Sequence, residues 1–421
     1  MQRYIDVLFY ISLTIIAGIG ILLHSHHVDK YFLLTPYKAK ADQEIIYKNH
    51  KQDLQGMLDD NQRIYNINAE SIGDNIYLIS FMINQGTLSQ GIYGILFSTD
   101  NYNLVAYNAT IWSKPKILAS QDFLFSQTNQ YIHSDAKPII YRDKDNLVLL
   151  VNMQGKFKTI SNKIQVFSMP LASIKNIFSN GDKESIKQTQ FKLIKNLNFS
   201  GYGNITNFIS GDILDIFHKP PTKDSTNKNN KQEFIMPLIS GLGIKLPAFV
   251  IISSDLILQE KITIDSNISL KNPRITKTID NDLQVIGMQN TSHSCLASYT
   301  DDSGNLYNQT CELYNGKLKM GRIEKSQNIT EVNHIELATF GNLVLLLYTQ
   351  NKSSSLNLAV WNGKDFSRIW QIENTKNKTS ITSAKILIND DEGYIFYANN
   401  KSLHSITFNE NYLASLITEE Q

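Results

Sequence analysis

The chain has 421 residues, 42% of them hydrophobic, and its 40 basic and 39 acidic side chains leave a formal net charge of +1. That length suits one large or two medium domains with a sizeable core, and the balanced charge gives no electrostatic footprint for nucleic acid. No GxGxxG, P-loop, HExxH or CxxC spacing occurs, so neither a cofactor nor a metal is expected.

The first element is hydrophobic. From Val7 to Leu23, VLFYISLTIIAGIGILL is apolar apart from one Ser and one Thr. A spanning helix needs about 20 residues, so this run is at the short end. HSHHVDKYF follows without a small-x-small cleavage site. Residues 1–27 therefore read as a membrane anchor or uncleaved signal, with a cleaved signal peptide as the alternative. His24, His26 and His27 read as interfacial histidines at a helix end rather than metal ligands. Arg3 lies on one side of the segment and Lys30, Lys38 and Lys40 on the other, so charge alone would not export the body. Residues 28–60 read as a polar spacer with a helical piece, DQEIIYKNHKQDLQGMLDD.

From residue 61 onward short strand-like runs dominate, bounded by Asn, Asp, Gly and Ser. A small polar turn followed by a five-residue apolar strand recurs: GDN-IYLIS, KDN-LVLLV, SGD-ILDIF, DND-LQVIG, FGN-LVLLL and DEG-YIFYA, with strands beginning at 76, 147, 213, 283, 343 and 394. A repeat of that length fits four strands and their loops, and radial repetition of such units makes a β-propeller. The expected fold is all-β: a six-bladed propeller over residues 61–421, preceded by the transmembrane helix. A sandwich or jelly roll is the alternative. His218 to Glu233, HKPPTKDSTNKNNKQE, reads as a mobile inserted loop.

Individual polar groups are weak signals. His133 with Asp135 suits a loop-edge pair better than an acid/base pair. Asp212 and Asp215 fall on opposite faces of a strand. Tyr93, Trp112, Trp361 and Trp370 could stack on sugars, though blade packing explains them equally.

Cys295 and Cys311 each stand eight residues from Ser303, in the middle of the turn YTDDSGNLYN. If that turn closes a hairpin, the two face each other within disulfide reach, unless they are unrelated buried thiols. A disulfide would imply an oxidising compartment. With the N-terminal segment, it favours a body outside the cytoplasm, in a bacterial periplasm or at the cell surface.

Within that turn Thr300, Asp302, Gly304 and Tyr307 fit [ST]-x-D-x-G-x-x-[WY] and resemble an Asp-box, the structural hairpin of sialidases. The resemblance implies that Asp302 caps the turn, Gly304 adopts positive φ and Tyr307, in place of Trp, packs between blades. It extends over roughly residues 62–415, to the branch of six-bladed sialidase-like proteins with BNR repeats. NAESIGDNIYLISF, IWSKPKIL, AKPIIYRDKDNLVLLV, FIMPLISGLGIKLPAFV, NPRITKTIDNDLQVIGMQN and the last two blades follow that family's order.

The departures concern chemistry. Sialidases grip a sugar carboxylate with three arginines, and use a Tyr–Glu pair as nucleophile and an Asp as acid/base. Here the first-blade Arg-Glu-Gly segment corresponds to NQGTLSQG, the first-blade His falls near Asn68, and Lys137 replaces an Asn. The Tyr-His-Glu of the third blade becomes Ile239, Ser240 and Gly241. A further Arg falls at Gln289, and a basic position falls near Asn400 and Lys401. None of the six arginines falls at a triad position. Tyr397 is the one candidate for the catalytic tyrosine, without an identifiable Glu. The resemblance thus implies a kept fold and a lost mechanism. The expected role is a membrane-anchored glycan-binding or envelope scaffold module, whose partners are the membrane, a glycan or an envelope protein. A glycoside hydrolase with a rebuilt site is the alternative.

Overall fold

The computed structural model describes residues 45–419 except 55–57, 60–61, 74, 86–87, 99–111, 133–137, 155–159, 180–190, 199–213, 216–232, 241–245, 254–257, 265, 279–291, 315–316, 351–354, 375–380, 390 and 400. In chain order, β1 (Tyr47–Asp53) precedes blade 1, which is β2 (Arg63–Gly73), β3 (Ile76–Gln85), β4 (Leu88–Ser98) and β5 (Lys116–Ser120). After α1 (Gln121–Thr128), blade 2 contains β6 (Tyr131–Ile132), β7 (Ile139–Asp143), β8 (Asn146–Gln154), β9 (Ile160–Pro170), α2 (Ala172–Ser179) and β10 (Lys192–Asn198). Blade 3 is β11 (Leu214–Asp215), β12 (Glu233–Ser240), β13 (Leu246–Ser253) and β14 (Leu258–Thr263). Blade 4 is β15 (Leu270–Lys277), β16 (Ser292–Asp301), β17 (Leu306–Tyr314) and β18 (Lys317–Lys325). Blade 5 is β19 (Val332–Phe340), β20 (Leu343–Gln350), β21 (Ser355–Trp361) and β22 (Phe366–Asn374). Blade 6 is β23 (Ile381–Asn389), β24 (Glu392–Asn399) and β25 (Ser402–Asn409), before α3 (Glu410–Glu419).

These elements form six antiparallel sheets. Each hydrophobic cluster joins two neighbouring blades: 1 with 2, 6 with 1, 5 with 6, 2 with 3, 3 with 4 and 4 with 5. The ring closes, and the protein is a six-bladed β-propeller. First strands of neighbouring blades touch (β2 with β7 and β23, β19 with β15 and β23), so they surround the axis. Second strands lie between two neighbours and are covered on both faces. Hence LVLLLYTQ is buried along nearly all of β20, a continuous apolar run rather than an alternating one. Asn75 and Gly341 carry positive φ (+56° and +54°) in the tight turns that lead into β3 and β20.

The recurring turn–strand pattern marks second strands in four blades, at β3, β8, β20 and β24. In blade 3, Leu214–Asp215 is instead the first strand, and β12 is the second. LQVIG lies outside the described residues, and β16 holds the second position of blade 4. Of the expected mobile loop only Glu233 is described, as the first residue of β12.

The helical piece expected in the spacer does not form. Tyr47–Asp53 is a strand, paired antiparallel to β25 from Tyr47↔Phe408 to Asp53↔Ser402. It is the fourth strand of blade 6, so the propeller begins at Tyr47 rather than at residue 61. The physical reason is tertiary: β25 would otherwise end the ring as an unpaired edge, and that pairing overrides local propensity. Leu54 N–H donates to Lys401 O at 2.9 Å, and Leu54 and Leu58 are buried against blades 1 and 6. Val7–Leu23 and the histidines after it lie outside the described residues. Among the described residues no helix is long and apolar enough to cross a membrane.

Candidate functional site

Four first strands slip register at one level. The shift falls between Tyr65 and Asn68 in β2, Lys271 and Arg274 in β15, Val332 and His334 in β19, and Ile381 and Ser383 in β23. Asn66 and Asn272 sit in two of these bulges with φ of +52° and +51°, a conformation Asn tolerates better than most residues. Bulges re-aim side chains, and here they aim polar groups within a blade and across blade boundaries. Asn66 Nδ2 donates to Pro138 O at 3.2 Å, and Asn272 Nδ2 to Thr300 Oγ1 at 2.9 Å and Asn333 O at 3.4 Å. His334 Nε2 lies 2.9 Å from Ala384 O, and Ile67 N–H donates to Ser383 Oγ at 2.9 Å.

A charged layer lies beside these bulges. Arg274 Nε and Nη2 donate to Glu336 Oε1 at 3.0 and 2.8 Å, and its Nη1 donates to Pro273 O at 2.9 Å. Lys385 Nζ donates to Glu336 Oε2 at 3.2 Å. Arg274, Glu336 and Lys385 are only 2%, 3% and 6% exposed. They come from the first strands of blades 4, 5 and 6. Glu70 of β2 and Arg142 of β7 continue the layer through blades 1 and 2. Burial pushes the Glu70 carboxyl up to about 7, against the Arg142 N–H and the charges of Lys385 and Arg142. Burial pulls Lys385 down to about 7, and Glu70 opposes that shift.

This layer can bind charge but has spent it internally. Both oxygens of Glu336 are held by cations, and Arg274 directs its donors at Glu336 and a carbonyl. Neither is open to a solvent-borne carboxylate. The half-buried Glu70 is the member with acid character near neutral pH. Among the described residues no group of His, Cys, Asp and Glu could hold a metal.

The Asp-box hairpin forms with a correction. Asp301, not Asp302, caps it: its Oδ1 accepts from Ser303 N–H at 2.9 Å and Asn305 N–H at 2.8 Å. Its Oδ2 accepts from Asn305 Nδ2 at 2.7 Å and Tyr307 Oη at 3.2 Å. Burial pushes the Asp301 carboxyl up, but these four donors hold it below its usual range. Asp301 opens the turn, with Gly304 N–H on its carbonyl at 3.1 Å, so its side chain folds over the turn amides. Asp302 points outward, 75% exposed, 3.4 Å from Lys271 Nζ. Gly304 has φ of +79°, and a Cβ there would meet the Val332 backbone at 3.0 Å. Tyr307 is buried between blades 3 and 4, and Thr300 accepts the Asn272 bond. Cys295 and Cys311 are register partners, joined as a disulfide with Cα atoms 4.8 Å apart.

Tyr397 is placed away from the axial layer. It lies on β24, a second strand, with 0% exposure, and its hydroxyl donates to Glu373 Oε2 at 2.9 Å across the boundary with blade 5. A Glu partner thus exists, but burial and that carboxylate both raise the phenol above its ordinary range, the reverse of activation. Trp112 packs on Phe97 at 4.8 Å, Tyr93 on Phe81 at 5.9 Å and Trp361 on Phe366 at 5.1 Å, all as blade packing. Asn68 is buried and bonds Ile140 O at 3.4 Å. Ile239 and Ser240 end β12, and Asp215 lies on β11. His133, Asp135, Lys137, Asp212, Gly241, Gln289 and Asn400 lie outside the described residues.

Sequence reading missed Arg274, Glu336 and Lys385. The available signal was a charge set among apolar residues in each of three strand patterns, NPRITK, HIELATF and SAKILIN. A charge within such a strand needs a buried partner.

A family model described as a BNR repeat-like domain matches residues 98–397. No curated protein matches the chain. A solved structure of unknown function from Dyadobacter fermentans is similar at 10% identity and a TM-score of 0.55, over 86% of this chain and 99% of that one. A Trypanosoma rangeli sialidase in complex with the inhibitor DANA aligns at 10% identity and a TM-score of 0.46, over 85% of this chain and 56% of that one. A subtype N10 neuraminidase-like protein of the strain A/little yellow-shouldered bat/Guatemala aligns at 6% identity and a TM-score of 0.47, over 86% and 98%.

Proposed function

The chain belongs to the BNR repeat-like domain family, and from that premise we propose that it is a non-catalytic, sialidase-like propeller held at the membrane outside the cytoplasm. There it acts as a glycan-binding or envelope scaffold module. One observation carries this reading: at the axis Arg274 and Lys385 both direct donors at Glu336 instead of at a ligand. A sialidase mechanism needs arginines facing the ligand and an activated nucleophile. The apolar run Val7–Leu23 supports anchoring, and the Cys295–Cys311 disulfide supports an oxidising compartment such as a bacterial periplasm or cell surface.

A second reading is a rebuilt glycoside hydrolase, and Glu70 favours it. A carboxyl poised near pH 7 on a first strand is the kind of group that protonates a leaving oxygen. One experiment separates the two. Full-length protein is titrated calorimetrically with sialylated and neutral glycans, and every sample then goes to mass spectrometry. Heat with intact glycans supports the binding module. A shortened glycan, with cleavage lost in E70Q, establishes the hydrolase. Neither heat nor cleavage rejects glycan recognition and leaves the envelope scaffold.

A further inference from the structure

Blade 6 turns an unusual face toward blade 5. The register of β1 on β25 and β24 sets three rows there: Tyr47 beside Phe408, Asn49 beside Ile406, and Lys51 beside His404 and Tyr397. Alternation puts Tyr47, Asn49 and Lys51 on one side of β1, and all three are exposed. Tyr47 is 45% exposed, the one aromatic among the exposed large hydrophobic residues described. Its ring lies along Tyr412 of α3 at 5.1 Å with 26° between planes, and edge-on to Trp370 of β22 at 5.6 Å. Trp370 in turn meets Tyr412 edge-on at 5.2 Å.

Polar groups stand along the same boundary. Glu373 of β22 takes the Tyr397 hydroxyl on Oε2 at 2.9 Å, while the Tyr397 ring lies flat on His404 at 4.6 Å. Glu373 and His404 are half-buried. The boundary thus presents an aromatic surface braced by two further rings, followed by an amide, a carboxylate, an imidazole and an ammonium. Core packing does not require an exposed tyrosine with four different hydrogen-bonding groups, from three strands, along the same boundary.

We propose that the exposed boundary between blades 5 and 6 is a saccharide-binding site in which Tyr47 is the stacking platform. A pyranose has one apolar C–H face and a rim of hydroxyls. The face suits a rigid aromatic of low ordering cost. The hydroxyls suit Asn49, Lys51, His404 and Glu373, which offer donors and acceptors at fixed strand positions. With both charge signs along the boundary, a neutral hexopyranose unit of a glycan chain is the class recognised. This inference rests on the glycan-binding reading and assigns it a place off the axis.

The test uses the full chain in a zwitterionic, sugar-free detergent. Cellotetraose, chitotetraose and maltotetraose serve as probes, with calorimetry and tryptophan fluorescence as readouts. Binding by the wild type should quench Trp370, and the quench should vanish in W370F. Affinity should fall about tenfold in Y47A, hold in Y47F, and fall severalfold in N49A and K51A, whose side chains lie on the exposed edge. If the wild type binds a probe and Y47A, N49A and K51A bind it equally well, this site is rejected while the glycan-binding reading stands. If the wild type binds none of them, both fail.

Discussion

Replacing Glu336 by Gln tests whether the axial layer is held by charge. The amide keeps the shape and one acceptor for Arg274, but removes the negative charge between two cations that are 2% and 6% exposed. Breaking a buried pair from one side costs about 3–5 kcal/mol, because a charge is left without a partner. Arg274 cannot shed its proton. Lys385 can, since burial already brings it to about 7, and that release caps its share. At pH 7 the expected loss is therefore about 3 kcal/mol, at the low end of that range. The pH dependence carries the diagnosis. Without Glu336, Lys385 falls further below 7, so the variant's deficit should grow toward pH 6 and shrink toward pH 9, where Lys385 is neutral in both proteins. Urea unfolding followed by tryptophan fluorescence at pH 6, 7.5 and 9 measures it. An apolar triple variant, R274M/E336L/K385M, should recover most of the loss, because it leaves no buried charge. A deficit under about 1 kcal/mol at pH 6, or one that ignores pH, would refute the reasoning.

Four further outcomes are expected. Asp301→Ala should cost about 2 kcal/mol through four lost hydrogen bonds and Asp302→Ala under about 0.5 kcal/mol, compared by urea midpoints; the reverse order would restore the cap to Asp302. Serines at both Cys295 and Cys311, whose sequence separation is 16, should cost about 3 kcal/mol, and dithiothreitol should lower the wild-type midpoint equally. In its folded state Glu70 is raised to about 7, so its stability contribution is complete below its unfolded value near 4.3 and is lost as pH rises to 7. Lys385 is depressed to about 7, so its contribution is complete above its unfolded value near 10.4 and is lost as pH falls to 7. The stability curve should therefore dip near neutrality, with E70Q removing the acid arm and K385M the alkaline arm. Deleting residues 1–53 should expose the β25 edge and produce concentration-dependent association by light scattering; a monomeric, equally stable product would mean that β1 does not close the ring.

What the sequence made legible follows from where each strand sits. Second strands such as LVLLLYTQ are covered on both faces, so they are apolar throughout and visible as runs. First strands line the axis and carry charge, so Arg274, Glu336 and Lys385 broke the apolar patterns that would have revealed their strands. β1 was illegible for a different reason. Its Asn, Lys, His and Gln side chains serve an exposed outer edge, and nothing local reports that β25, more than 350 positions along the chain, needs a partner. The Asp-box spacing located the correct hairpin and the wrong aspartate. Two adjacent acids satisfy nearly the same spacing, and the choice depends on which one opens the turn. The disulfide pair was visible because symmetry about a turn is a geometric statement about register.

The axial layer also bears on how such a fold changes use. First strands are the elements that reach the centre of a propeller, so axial chemistry must be assembled from a few positions on each. An arginine there is useful to a ligand only while its donors face solvent. Once a glutamate from the next blade takes Nε and Nη2, as Glu336 does from Arg274, the same side chain fixes the angle between two blades instead. Lys385 then binds the other carboxylate oxygen and draws in a third blade, and Glu70 answers it from a fourth. Each such contact lets the ring hold together with charges at its centre. It also removes one group from the set that could grip a substrate carboxylate. The boundary where β1 meets blade 5 presents exposed groups of mixed chemistry away from that layer, and recognition there would leave the axial network undisturbed. Y47A and E336Q should therefore be separable: the first should weaken saccharide binding with little effect on the pH dependence of unfolding, the second the reverse.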